Sequence, residues 1–249
     1  MATERGQLVL KTALQAGRIM IQNGSEVARV DDTLTRIAQN SGYPDSKVYV
    51  TITGIMMALS SEGNAQVEPV KNRTIDLEMV TRVNDLSRRY AAHDISLVQF
   101  DEALADLEAH PHTFPVWLQL VAAAFVSGTL EIVFRGNYHD ALVTFLIGFL
   151  GYAVFLGVNR LARVRFLSEF LAAIVIGVLA IETVKWGWGN STDDIIIGSV
   201  MPLVPGVPLT NAVRDIMSGD LVSGIARGME AVMSAVAIGS GIAVILQLM

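Results

Sequence analysis

The 249-residue chain has no cysteine, which excludes disulfides, zinc–thiolate sites and iron–sulfur clusters. It is also short of charge: 17% of its residues are Asp, Glu, Lys or Arg, against about a quarter in soluble proteins. The shortage is uneven. Residues 1–113 carry 11 Lys/Arg and 15 Asp/Glu, whereas residues 114–249 carry seven and nine. No basic tail accompanies the net charge of −6, so nucleic acid is not expected as a partner. The N-terminus leads into an amphipathic stretch rather than a long apolar run, and no cleavable signal peptide is expected. There is no nucleophile elbow, phosphate loop or paired-base spacing. Ser25, Asp31, Asp32 and His93 therefore carry no hydrolase pattern, and Asp31 and Asp32 read as the solvated face of a helix. His93, His110, His112 and His139 lack ligand spacing. Neither an enzyme nor a metal or other cofactor is expected.

What is present divides at residue 113. Before it, Leu10, Leu14, Gly17 and Ile21 recur at helical spacing, and Asn23-Gly24 ends that helix. Ser25 is placed to cap a second helix with the stripe Val27, Val30, Leu34 and Ile37. Val48–Leu59, rich in β-branched residues, reads as a strand. Glu62-Gly-Asn64 reads as a turn, and Gln66–Lys71 as the return strand. Asp76–Tyr90 and Ser96–Glu108 read as helices, the latter opening on a Ser96/Gln99 capping box. Residues 1–113 are thus expected to form a small α+β domain with its own core.

After residue 113 come five apolar runs of about the 20 residues that a bilayer requires: 114–134, 139–158, 166–186, 193–213 and 221–248. The Asn159–Arg165 connection holds Arg160, Arg163 and Arg165, while Arg214 and Arg227 flank the connection before the last run. Basic loops stay cytoplasmic, which places residues 1–113 inside and the C-terminus outside. The expected fold class is an α-helical membrane protein with five transmembrane helices and an N-terminal small α+β cytoplasmic domain.

The chain has seven prolines, three of them at Pro202, Pro205 and Pro208 in the fourth run. Each removes a backbone donor and obstructs the preceding turn. Irregular backbone at membrane depth persists only when buried in protein or lining a wet cavity. The functional reading is a split span whose second half opens at Leu209–Ala212. The amide end of such a half-helix can hold a carboxylate, with Thr210 and Asn211 adding neutral hydrogen bonds. The plainer reading is a packing kink or a turn at the cytoplasmic end. Glu131, Glu169, Glu182 and Glu230 each have a basic neighbour at helical spacing (Arg135, Arg165, Lys185 and Arg227), which suggests interfacial ion pairs. Arg227 suits an anionic substrate, and Glu182 and Glu230 are the candidates for proton coupling. Gly224, Gly228, Ser234, Ala235, Gly239 and Gly241 let the last run approach another helix closely, as at a subunit contact.

Gly24-Ser-Glu-Val-Ala-Arg-Val30, Asp31-Asp-Thr-Leu-Thr-Arg-Ile37, Thr51-Ile-Thr-Gly-Ile55, Leu203-Val-Pro-Gly-Val-Pro-Leu-Thr-Asn-Ala212 and Gly219-Asp-Leu-Val-Ser-Gly-Ile-Ala-Arg227, in this order and spacing, resemble the threonine/serine exporter (ThrE) family. The resemblance is to its split form, the YjjP-type subunit. It implies an oligomeric exporter in the cytoplasmic (inner) membrane with a separate small membrane partner of the YjjB type, moving threonine and serine or succinate-like dicarboxylates. With it, the expected substrate-binding residues are Pro202, Pro205, Gly206, Pro208, Thr210, Asn211 and Arg227. The readings kept open beside it are a non-conducting regulatory or scaffold subunit and a membrane-tethered enzyme acting through residues 1–113.

Overall fold

The computed structural model describes residues 4–60, 65–110, 114–135, 138–162, 164 and 166–248; the side chain of Arg135 lies outside that description. The chain divides into two compact units, Met1–His112 with Val207–Met229, and Thr113–Gly206 with Glu230–Met249.

In the first unit, α1 (Glu4–Gln22) is the central element, with Val9, Leu10, Ala13, Met20 and Ile21 buried. It packs on α2 (Val27–Asn40), and the approach is close at Gly17. A Cβ there would stand 2.8 Å from Ile55 Cδ1 and 3.0 Å from Leu34 Cδ1. The Val48–Leu59 run is not the single strand its composition suggests. It is a hairpin, β1 (Lys47–Thr51) and β2 (Gly54–Ala58), paired antiparallel with Thr51 opposite Gly54. Its β-branched content suits a strand at nearly every position, but Thr51 Oγ1 bonds Gly54 at both backbone N (3.1 Å) and O (2.9 Å), which closes a two-residue turn. Side-chain bonding of this kind competes with the ladder. β3 (Gln66–Pro69) completes a β1-β2-β3 sheet. The expected turn at Glu62-Gly-Asn64 lies outside the described residues.

α3 (Leu77–Ala91) is capped by Asp76, and α4 (Leu97–Ala109) opens on the capping box of Ser96 and Gln99. Phe100 and Leu104 of α4 join the core formed by α1, α2 and the sheet.

The second unit contains α5 (Val116–Arg135), α6 (Ala141–Ala162), α7 (Leu167–Lys185), α8 (Thr192–Val200) and a 3-10 turn (Met201–Leu203). α9 (Gly206–Met217) from Val207 onward and the start of α10 (Leu221–Leu248) belong to the first unit, and the rest of α10 to the second. α5, α6, α7 and α10 are each long and apolar enough to cross a membrane. They become five if α8 with the 3-10 turn and α9 form one broken span. Packing in the second unit follows membrane physics. Its buried positions include Ala123, Ala124, Gly148, Gly151, Ala172, Ala173 and Ala180, while Phe125, Leu142, Leu146 and Leu150 face outward. Lipid is as apolar as leucine, so small residues that let backbones approach are what bring such helices together.

Candidate functional site

The first unit gathers several of the singled-out residues around the α1–α2 turn. α1 ends when Gly24 N–H bonds Ile21 O (3.3 Å) and Ser25 N–H bonds Met20 O (3.0 Å). Gly24 has φ +92°, a conformation open to glycine at little cost. Ser25 is not the cap of α2. That position falls to Glu26, which has extended backbone and no capping side chain, and Ser25 Oγ instead donates to Glu26 O (3.4 Å).

The free amides at the start of α2 are met from α9. Val27 N–H donates to Asp215 Oδ1 at 3.0 Å, an arrangement favoured at the positive end of a helix. Asn211, one turn earlier on the same face, donates from Nδ2 to Gly24 O at 2.8 Å. Arg227 of α10 donates from Nη2 to Ser25 O at 2.6 Å, and its Nε lies 3.3 Å from Asp215 Oδ2. Arg214 pairs with Glu26 at the rim. Asp215, Asn211 and Arg227 are buried, at 1%, 7% and 7% relative exposure. The turn Gly24–Val27 is therefore held by three buried side chains that lie 187 to 202 residues away in sequence.

Beside this turn, Asp31 of α2 is half-buried rather than fully solvated. Burial, then the nearby charges of Asp220 and Asp32, push its carboxyl above the usual carboxylate range.

The remaining expected site residues fall in both units. Pro208 and Thr210 lie on α9, which starts at Gly206, three residues before the expected Leu209. Pro208 stands in its first turn, where the missing donor costs little. Thr210 is exposed, with its hydroxyl on Val207 O (3.0 Å). In the second unit Pro202 is the middle residue of the 3-10 turn, Val204 is extended and ends it, and Gly206 N–H reaches Val204 O (2.8 Å) past Pro205. The backbone is thus broken where the prolines stand.

Of the glutamates, Glu182 pairs with Lys185 at 3.0 Å near the end of α7, as expected. Glu169 accepts from Ser168 Oγ (2.9 Å), and its expected partner Arg165 is outside the described residues. Glu230 lies on α10 in the second unit. One residue was missed and one was read differently. Asp215 could have been found from its i+4 spacing to Asn211. Glu131 reads in sequence as an interfacial partner of Arg135, yet it is fully buried.

A multi-pass membrane protein that also carries a compact unit of helices with a small sheet is the class that these features define. The chain belongs to the ThrE family. That family, described as "Putative threonine/serine exporter", matches residues 11–249. The chain is 24% identical over 232 residues to "Probable succinate transporter subunit YjjP" of Escherichia coli K12, covering 91% of this chain and 89% of that one. A relative of the same name in Klebsiella aerogenes is 23% identical, with 88% and 85% covered. "Probable threonine/serine exporter" of Mycobacterium tuberculosis is 23% identical over 247 residues, which is 96% of this chain and 46% of that one. No solved structure matches.

Proposed function

We propose that the chain is one subunit of a cytoplasmic-membrane exporter of small carboxylates, either threonine and serine or a succinate-like dicarboxylate. It works with a separate small membrane partner of the YjjB type. The observation that carries this reading is the family match along residues 11–249. The two-chain arrangement draws its support from the names of two relatives, each called a subunit. The relatives called subunits are matched over most of their length, and the mycobacterial exporter over less than half of its own.

In this reading α8, the 3-10 turn and α9 together form a fifth, broken span, the N-terminal domain is cytoplasmic and the C-terminus is outside. The proline-broken segment 202–208 belongs to the export route. Asn211 and Arg227 act on transport through the Gly24–Val27 turn that they hold.

The test is reconstitution in liposomes of the chain, the partner and the pair, with efflux of labelled threonine, serine and succinate followed in each. Flux of one of them is expected only with both chains, and to fall with Pro205→Ala. Full flux from the partner alone would make this chain a scaffold, and full flux from Pro205→Ala would remove the broken segment from the route.

A further inference from the structure

Glu131 is unlike every other carboxylate in the apolar helices. It is fully buried, and neither of its carboxyl oxygens has a hydrogen-bond partner among the described residues. Ser127, one turn earlier on α5, and Thr144 of α6 are also fully buried, and their hydroxyls are likewise unpartnered among those residues. Four of the seven such buried polar atoms in the described chain sit on these three residues. The clustering is therefore a feature of this place rather than scattered imperfection.

The backbone has been shaped to close around it. A Cβ on Gly198 of α8 would stand 2.6 Å from Thr144 Cγ2 and 2.9 Å from Glu131 Cβ. A Cβ on Gly148 of α6 would overlap the Ser127 hydroxyl. Thr144 faces the carboxyl at a geometry short of a proper hydrogen bond.

A buried structural carboxylate has a different appearance, and the same unit provides one for comparison. Asp140 is also fully buried, but it accepts from Asn190 N–H (2.8 Å) and Ser191 N–H (2.9 Å) and so fixes the turn before α8. Glu131 fixes nothing. An ionised carboxylate without donors forfeits its hydration for no return. A protonated carboxyl, in contrast, can offer its O–H to Thr144 or Ser127 after a small rotation. Among the described residues the charged groups facing it are both acidic, Asp140 just before α6 and Asp194 in the first turn of α8, and the 3-10 turn adds none. The side chain of Arg135, one turn further along α5, lies outside that description.

We propose that Glu131 takes up and releases the proton that drives transport, with Ser127 and Thr144 as its partners in the protonated state. In this scheme a proton enters from one face of the membrane, resides on the carboxyl while the site is closed, and leaves to the other face. The inference rests on the exporter reading. It reassigns Glu131 from an interfacial ion pair to an ion-coupling site.

The experiment uses the chain with its membrane partner in proteoliposomes, and the purified full chain for labelling. In the first part, efflux driven by a proton gradient is compared with substrate counterflow at no gradient, for wild type and Glu131→Gln. Loss of driven efflux with counterflow retained is expected. Driven efflux equal to wild type overturns the proposal, and so does loss of counterflow in a variant that remains monodisperse. In the second part the full chain is treated with dicyclohexylcarbodiimide, an apolar reagent for protonated carboxyls, across a pH series and mapped by mass spectrometry. Label on Glu131 that declines as pH rises is expected, and so is a shift of that profile in Thr144→Val. Absence of label overturns the site even where transport proceeds. Label with the expected profile, in a wild type that moves no carboxylate, leaves the ion site standing and removes the exporter reading.

Discussion

Arg227 is the residue whose chemistry is most tightly constrained by its surroundings. Its guanidinium serves a carbonyl, Ser25 O, and a carboxylate, Asp215, and the same carboxylate caps α2 at Val27. Removing one partner of a buried pair leaves the other charge uncompensated, which costs about 3–5 kcal/mol, whereas removing both is much less damaging. Arg227→Met is therefore expected to destabilise the detergent-solubilised chain by about that amount. Asp215→Asn, which keeps an acceptor for Val27, should cost less, and the double variant should recover much of the loss. Thermal unfolding of the three variants checks this, and additive losses would show that the two side chains are not coupled. The importance of Asn211 and Arg227 was legible in the sequence, because both belong to motifs and one is a charge in an apolar run. Their partner was not. Nothing local to Gly24–Val27 shows that its carbonyls will be met from nearly 190 residues away, and Asp215 stands beyond the end of the apolar run that drew attention. Glu131 failed for a related reason. An i+4 arginine is a sufficient account of a glutamate near a span end, until the helices that bury it are in place.

Among the elements, the α9–α10 hairpin decides how those side chains are presented. Gly224 was read as one of several small residues suited to a subunit contact, but it is used within the first unit. A Cβ at Gly224 would lie 2.9 Å from both Ala212 O and Ile216 N, which are backbone atoms of α9 that cannot rotate aside. Gly241 behaves similarly against Phe170 O of α7 at 2.7 Å, while Gly239 meets nothing within 4 Å. The small-residue stripe therefore does not face one partner along its length. Gly224→Ala is expected to push α10 off α9, weaken the Arg227–Asp215 pair and cost about 1–3 kcal/mol, the range for an overpacked site. Gly239→Ala should be neutral or slightly stabilising, since alanine is the better helix former. Thermal stabilities of the two variants measured side by side test the assignment, and equal effects would refute it. The helices themselves were legible, because their periodicity or unbroken apolarity is long-range in the sequence. The β1–β2 turn was not, because two residues inside a β-branched run reverse the chain through a side-chain hydrogen bond that propensity does not record.

For the whole molecule the open quantity is the number of crossings, and the first unit constrains it. α8 with its 3-10 turn has only nine and three residues. That rises about 20 Å, short of the roughly 30 Å hydrocarbon layer. A re-entrant loop would return the chain to the face from which α8 came. Yet α9 and residues 221–229 lie in one compact unit with α1 and α2, joined by buried hydrogen bonds, so Ser218 must face the same compartment as that unit. In the proposed topology, which follows the arginine placement, that compartment is the inside. The absence of cysteine makes the test direct, since any single introduced thiol is the only one in the chain. Cysteine at Gly187 should react with a membrane-impermeant maleimide on intact cells. Cysteine at Asp94, Asn159 or Ser218 should react only after permeabilisation. Ser218→Cys labelled from outside while Asp94→Cys stays protected would mean that α8 and α9 form a re-entrant loop, with four crossings and a C-terminus inside. The five-crossing arrangement requires the opposite, because the Asp215–Val27 bond cannot form across a bilayer.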